Sequence, residues 1–192
     1  MYAFRTRHGP ADLCFTDRSG GDLALGAGRE DLRRVLDDFA PGAELCDLDQ
    51  VHGADVVRVD AATPVARPEA DGLVTTEPEV VLMVRAADCV PVLLVAEHEG
   101  VVGAAHCGRP GLLAGVVPRT VASMHDLGAS TITAWIGPHV CGACYEVPAQ
   151  MRDEVAAVVP ASRASTSWGT PSLDLGAGVR AQLATDGVVV HD

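Results

Sequence analysis

Between residues 72 and 107 the chain strings together four short apolar runs, "GLVTT", "VVLMVR", "VPVLLVA" and "VVGAAH". They are rich in β-branched residues and closely spaced, the pattern of strands in a mostly antiparallel or mixed sheet. Upstream, "YAFRTRH", "LCFT", "ELCDLDQVHG" and "ADVVRVD" read as further short strands. In "GREDLRRVLDDFA" (28–40) the period changes. Leu32, Val35, Leu36 and Phe39 fall at helical spacing, with acids early in the segment. "ATPVARPEA" (62–70) reads as a loop. A helix is expected from about 111 to 126, with Leu113, Val117, Val121 and Met124 near one face and Pro110 suited to its first turn. "TITAWI" predicts a strand, "PAQMRDEVAAVV" a helix, "DLGAGVRAQLATDG" a last helix ending at Gly187, and "VVVH" a final strand. Strands gather in the first half and helices in the second, so the expected class is α+β, in one domain over 1–192.

Charge narrows the function. The 26 acidic residues outnumber 14 basic ones, all arginine, and leave a net charge of −12. Nucleic acids and anionic membranes both require a basic footprint, so neither is expected as a partner. With no lysine, Schiff-base chemistry and a Walker-type phosphate lysine are excluded. No stretch reaches the roughly 18 apolar residues of a membrane span. The start, "MYAFRTRHGPADLC", lacks a signal-peptide layout, so a cytoplasmic location is expected, with the six cysteines (14, 46, 89, 107, 141, 144) mostly reduced.

Three polar residues interrupt the apolar runs: His52 in "LDQVHGADVV", Cys89 in "RAADCVPVLL" and His106 in "VVGAAHCGRP". Each stands where a strand meets a turn, and strand ends are where side chains from separate strands converge. Two imidazoles and a thiolate would form a three-ligand zinc site with an open fourth position. The same residues could serve a cysteine nucleophile with a histidine base, or be satisfied core histidines and a buried thiol. Cys107, between a strand and a helix start, has the placement of an activated thiolate, yet also of a small residue filling a tight corner. "VCGACYEV" holds a C-x-x-C at Cys141 and Cys144, readable as a redox couple, half a metal site or plain packing. His139, beside Gly137-Pro138, could line a pocket; His8, His98, His125 and His191 read as surface or helix-face residues.

Taken together, "DQVHGADVV", "ADGLVTT", "AADCVPVLLV", "VGAAHCG" and "WIGPHVCGACYEV" resemble, in order and spacing, the YfiH-like laccase-domain family. That family is also called the multicopper polyphenol oxidase family, and some members are described as peptidoglycan editing factors. The resemblance runs from about Arg7 to about Val190. It implies a layered α/β/β/α sandwich of a cysteine-hydrolase-like type, with the metal on His52, Cys89 and His106, zinc the usual ion and copper also reported. The implied activity is that of a purine nucleoside phosphorylase with added adenosine deaminase and methylthioadenosine phosphorylase activity. The alternatives are a peptidoglycan-editing amidase acting on a nucleotide-sugar precursor and a non-catalytic metal-binding member. Phenol oxidation ranks last, because the seven histidines include none of the H-x-H pairs that a multicopper site requires.

The substrates implied are a purine nucleoside and phosphate. On chemical grounds an arginine would hold the phosphate, with Arg7 and Arg109 as candidates and Gln50 and His139 as further substrate-binding residues. Where the family carries A-G-W-R-G, this chain has Cys107-Gly108-Arg109-Pro110-Gly111, and Ala24 stands where its S-x-N-x-G element has asparagine. The sequence ends at His191-Asp192, ahead of the family's C-terminal cysteine-threonine and arginine-rich segment. The metal triad is kept while the substrate shell is altered.

Overall fold

The computed structural model describes residues 1–27, 29–60 and 67–191. Gly28, residues 62–66 of the expected loop, and Asp192 therefore lie outside the described residues. A six-stranded mixed sheet organises the rest. It is built from β4 (Val56–Val59), β5 (Gly72–Thr75), β7 (Val90–Ala96), β8 (Val101–Cys107), β9 (Thr133–Ile136) and β12 (Val189–His191), in the order β12-β9-β7-β8-β5-β4. Its outer pairs, β4 with β5 and β12 with β9, are parallel, while β5–β8, β7–β8 and β7–β9 are antiparallel.

Side chains alternate across the sheet as the two-residue strand period dictates. Val90, Val92, Leu94 and Ala96 enter one core with Val74, Ala105, Cys107, Ala134 and Ile136. That core is closed by α2 (Arg109–Ala114), α3 (Val116–Asp126), α4 (Ala149–Val158) and α5 (Leu175–Thr185). The opposite face carries two ribbons. The antiparallel hairpin of β1 (Tyr2–His8) and β2 (Ala11–Thr16) packs Leu13 and Phe15 on Leu93, Val95, Val102 and Trp135. The parallel pair β3 (Glu44–Asp47) and β6 (Val80–Met83) packs Cys46, Val80 and Leu82 on Val57, Val59 and Leu73. Outside the hairpin lies α1 (Arg29–Phe39), whose Phe39 ring sits 6.3 Å from that of Tyr2 and whose Asp38 accepts from Tyr2 and Arg5. The order of layers is helix, sheet, ribbon, helix, as the resemblance implies.

One helix expected over 111–126 is two. Gly115, at φ +79°, ends α2 in the left-handed region, where glycine carries no Cβ penalty. Pro118 then falls in the first turn of α3, having no N–H to give the carbonyl four residues back. Val117, Val121 and Met124 are buried as expected, but Leu112 rather than Leu113 is the fully buried leucine of α2. A short hairpin of β10 (Arg163–Ser165) and β11 (Pro171–Leu173) adds to the expected elements. It lies between α4 and α5.

Candidate metal centre

The strand period places the site. On β8, Ala105 and Cys107 turn into the helical core, so His106 between them faces the ribbons. Cys89 precedes Val90, a core residue, and by the same alternation lies on His106's side of the sheet. His52 arrives from the turn before β4. The ligand-competent atoms of His52, Cys89 and His106 all lie within 4.8 Å of one another. Cys89 Sγ is 3.7 Å from His52 Nε2, and the two imidazoles meet edge to face at 4.8 Å.

Asp71, absent from the sequence reading's candidates, holds this arrangement. Fully buried just before β5, its carboxylate accepts from His106 Nδ1 at 2.8 Å. It also accepts from three successive backbone amides: Val51 (3.2 Å), His52 (3.1 Å) and Gly53 (2.6 Å). The first contact fixes the His106 ring with Nε2 as the nitrogen left for a ligand. The other three hold His52 at φ +60°, a left-handed conformation that costs of order 1 kcal/mol for a non-glycine residue. One buried carboxylate thus ties together two of the three donors. The signal in the sequence is an aspartate embedded in "EADGLVT", next to residues that become fully buried.

A second clamp joins the third donor. Gln50 Nε2 donates to the Arg85 carbonyl, and the Arg85 amide donates to Gln50 Oε1, both at 2.7 Å. This paired contact docks the segment carrying His52 onto the segment carrying Cys89. Gln50 is thereby a positioning residue, with its amide oxygen and one N–H spent on backbone rather than free for substrate. Gly108 completes the cradle: a Cβ there would meet His52 Cδ2 at 2.6 Å and Cys89 Sγ at 3.0 Å.

The donor set fits a zinc-like ion. In tetrahedral geometry a thiolate and an imidazole nitrogen bound to one zinc stand roughly 3.5 Å apart, close to the 3.7 Å between Cys89 and His52. Burial, then the nearby Asp88 and Asp71 carboxylates, push the Cys89 thiol above its usual range. Burial outweighs the Asp71 contact and lowers His106, which favours the neutral ring that a metal requires. A bound cation would reverse the balance at Cys89 in favour of thiolate.

The other candidates are scattered. Cys107 is fully buried in the core, and burial pushes its thiol up to about 12, so it is the small packing residue and not a nucleophile. Arg7 lies one residue from His8, which pairs with Glu97 just beyond β7; Cys89 lies at the other end of that strand, roughly 25 Å of chain away. The structure does not bring Arg7 to the triad. Arg109 is the first residue of α2, next to Gly108, half-buried and without an ion pair or hydrogen bond among the described residues. His139 Nδ1 donates to the Gly137 carbonyl at 2.7 Å, and its other nitrogen lies against Gly176. Its loop reaches the centre through the Val140 amide, which donates to the Asp88 carbonyl. The segment where Ala24 replaces asparagine lines a separate cavity of about 260 Å³ beside Arg67 and Arg85.

Fold and site together define a mixed α/β protein presenting a His–Cys–His metal-binding cluster on the ribbon face of its sheet. The chain belongs to the multi-copper polyphenol oxidoreductase laccase family, whose profile matches residues 23–192. It is 49% identical to a Streptomyces coelicolor protein named purine nucleoside phosphorylase, over 95% of this chain and 82% of that one. A Mycobacterium bovis protein of the same name is 44% identical over 90% of this chain and 69% of its own length. Among solved structures, YlmD from Geobacillus stearothermophilus superposes with a TM-score of 0.75 at 31% identity, covering 89% of this chain and 73% of YlmD. No helix among the described residues is long and apolar enough to cross a membrane.

Proposed function

We propose that this protein is a zinc-dependent purine nucleoside phosphorylase that also deaminates adenosine and phosphorolyses methylthioadenosine, working in the cytoplasm. The observation that carries the reading is the convergence of His52, Cys89 and His106 within 4.8 Å in a chain whose relatives bear the phosphorylase name. Six free cysteines support a reducing compartment.

His52, Cys89 and His106 Nε2 would hold the ion, zinc or in second place copper, and when bound it would supply Lewis acidity. The chain's own residues do the rest. Asp71 keeps the His106 ring from rotating and fixes its tautomer. Gln50 and Gly108 keep the donors close and the cradle open. Arg109, without an ion pair among the described residues and at the edge of that cradle, is assigned the phosphate, for which a guanidinium offers two parallel N–H donors. His139 is assigned to the purine side, on the loop that docks against Asp88. Oxygen-centred redox chemistry on phenols has no support in the residues, which provide one cluster of three donors among those described.

The test pairs metal content with product analysis. Zinc-loaded wild type and Cys89→Ala are incubated with adenosine, with and without phosphate, and the products are separated. Phosphate-dependent adenine and phosphate-independent inosine from wild type alone support the assignment, and an Arg109→Ala protein should lose the phosphate-dependent product. Stoichiometric zinc with neither product would mark a non-catalytic member. Unchanged zinc in Cys89→Ala would overturn the site itself.

A further inference from the structure

The C-x-x-C at Cys141 and Cys144 has no part in the metal centre. Its backbone is pinned on every side. The Cys144 and Tyr145 amides both donate to the Cys141 carbonyl, at 2.9 and 3.1 Å, closing a tight turn. Ser172 Oγ donates to the Gly142 carbonyl at 2.5 Å, and the Ser167 amide to that of Ala143 at 3.0 Å. Gly142 packs so closely on Asp174, the N-cap of α5, that a Cβ would meet the Asp174 Cβ at 2.7 Å. The Val140 amide is held by Asp88. From this fixed turn both thiols face solvent, whereas the other four cysteines are half-buried or buried.

We propose that Cys141 and Cys144 form a redox-active dithiol site, separate from the metal centre, that closes to an intramolecular disulfide on reaction with small-molecule disulfides of the glutathione class. The first and last residues of such a turn have Cα atoms less than about 7 Å apart, the range a disulfide bridges. No rearrangement of the anchored backbone is required. Two sulfurs also lack the third donor of a metal site: among the described residues the one cluster of three or more potential ligands is His52, Cys89 and His106.

The two thiols are not equivalent. The neighbouring Cys141 raises the Cys144 thiol above its ordinary value. Cys141 is therefore the entering sulfur. Its thiolate attacks the external disulfide, forming a Cys141 mixed disulfide and expelling one glutathione thiolate. Cys144, on losing its proton to solvent, attacks the Cys141 sulfur and expels the second. The two protein thiols give up two protons and two electrons, and the external disulfide takes up the electrons.

The protein, loaded with zinc to occupy Cys89, is equilibrated over a series of reduced-to-oxidised glutathione ratios, alkylated and mapped by peptide mass. A Cys141–Cys144 linked peptide should appear in one two-electron transition while the other four cysteines remain alkylated. Cys144→Ser should stop at a glutathione adduct on Cys141. Cys141→Ser should give no linked peptide and at most a single glutathione adduct on Cys144. Urea-unfolded protein should need a more oxidising ratio than the folded chain. The proposal is overturned if the pair stays reduced while other cysteines oxidise. It also fails if folded and unfolded chains share one transition, or if Cys144→Ser leaves Cys141 without a glutathione adduct. None of these readouts depends on turnover of any substrate.

Discussion

Replacing Asp71 by asparagine changes almost no volume and tests the logic of the centre directly. Oδ1 serves His106 Nδ1 and the His52 amide, while Oδ2 serves the amides of Val51 and Gly53. In asparagine one of these oxygens becomes an NH2 group, which faces two donors with a donor. If the NH2 turns toward Val51 and Gly53, the left-handed turn that presents His52 loses two of its three amide contacts. If it turns toward His106, Nδ1 must become the acceptor, which puts the ring proton on Nε2 and blocks the donor position. In the first orientation two hydrogen bonds to a charged acceptor are lost and in the second one, at about 1.5 kcal/mol each on the low side, or about 1.5–3 kcal/mol in all. Losing such an outer partner typically lowers metal affinity about 10- to 100-fold. Urea unfolding of the metal-free protein reads the first quantity, and zinc competition against a chromogenic chelator reads the second. Asp71→Ala, which removes all four contacts, should exceed Asp71→Asn in both. Zinc affinity equal to wild type in a folded Asp71→Asn protein would refute the orienting role, even if stability falls.

Gly108→Ala should abolish stoichiometric zinc binding, measured by metal analysis, with little change in unfolding midpoint. The backbone there (φ −81°, ψ 177°) admits alanine, and only the crowding of His52 and Cys89 opposes it. Gln50→Ala leaves the Arg85 amide and carbonyl without partners; a loss of about 1–3 kcal/mol in urea unfolding is expected, with weaker zinc retention on dialysis. Cys107 keeps its proton in the folded state to about pH 12 but releases it near pH 9 when unfolded. The unfolded chain therefore binds fewer protons over that window, and stability should fall with rising pH by up to about 1.4 kcal/mol per unit. Native protein at pH 9.5 should leave Cys107 unlabelled by iodoacetamide, and labelling before unfolding would contradict its burial.

The strands and helices were legible because their burial is periodic. Runs such as "VPVLLVA" alternate between two cores, and "DLRRVLDDF" repeats at helical spacing. Where periodicity runs through a backbone event, the sequence misleads: apolar residues continue across Gly115 at helical spacing although the helix does not. The β10–β11 hairpin has three residues per strand, too few for any period to register. His52, Cys89 and His106 were visible as polar residues closing apolar runs, and only the resemblance joined them, because their spacing is set by the sheet rather than by a local motif. Asp71 and Gln50 were hidden more deeply. Both act through backbone groups 18 to 35 residues away, and an aspartate before glycine reads locally as a turn former.

Trp135 makes the hairpin's docking observable by eye of a fluorimeter. It is nearly buried, touched edge-on by the His8 ring at 4.9 Å and stacked on that of His191 at 5.4 Å. The other tryptophan, Trp168, is more than half exposed and stays in water-like surroundings throughout. Emission from Trp135 therefore carries the information on whether β1–β2 and β12 are seated. A Trp168→Phe protein would convert the molecule's own fluorescence into a single-site signal for the ribbon layer, on the opposite side of the sheet from the main core.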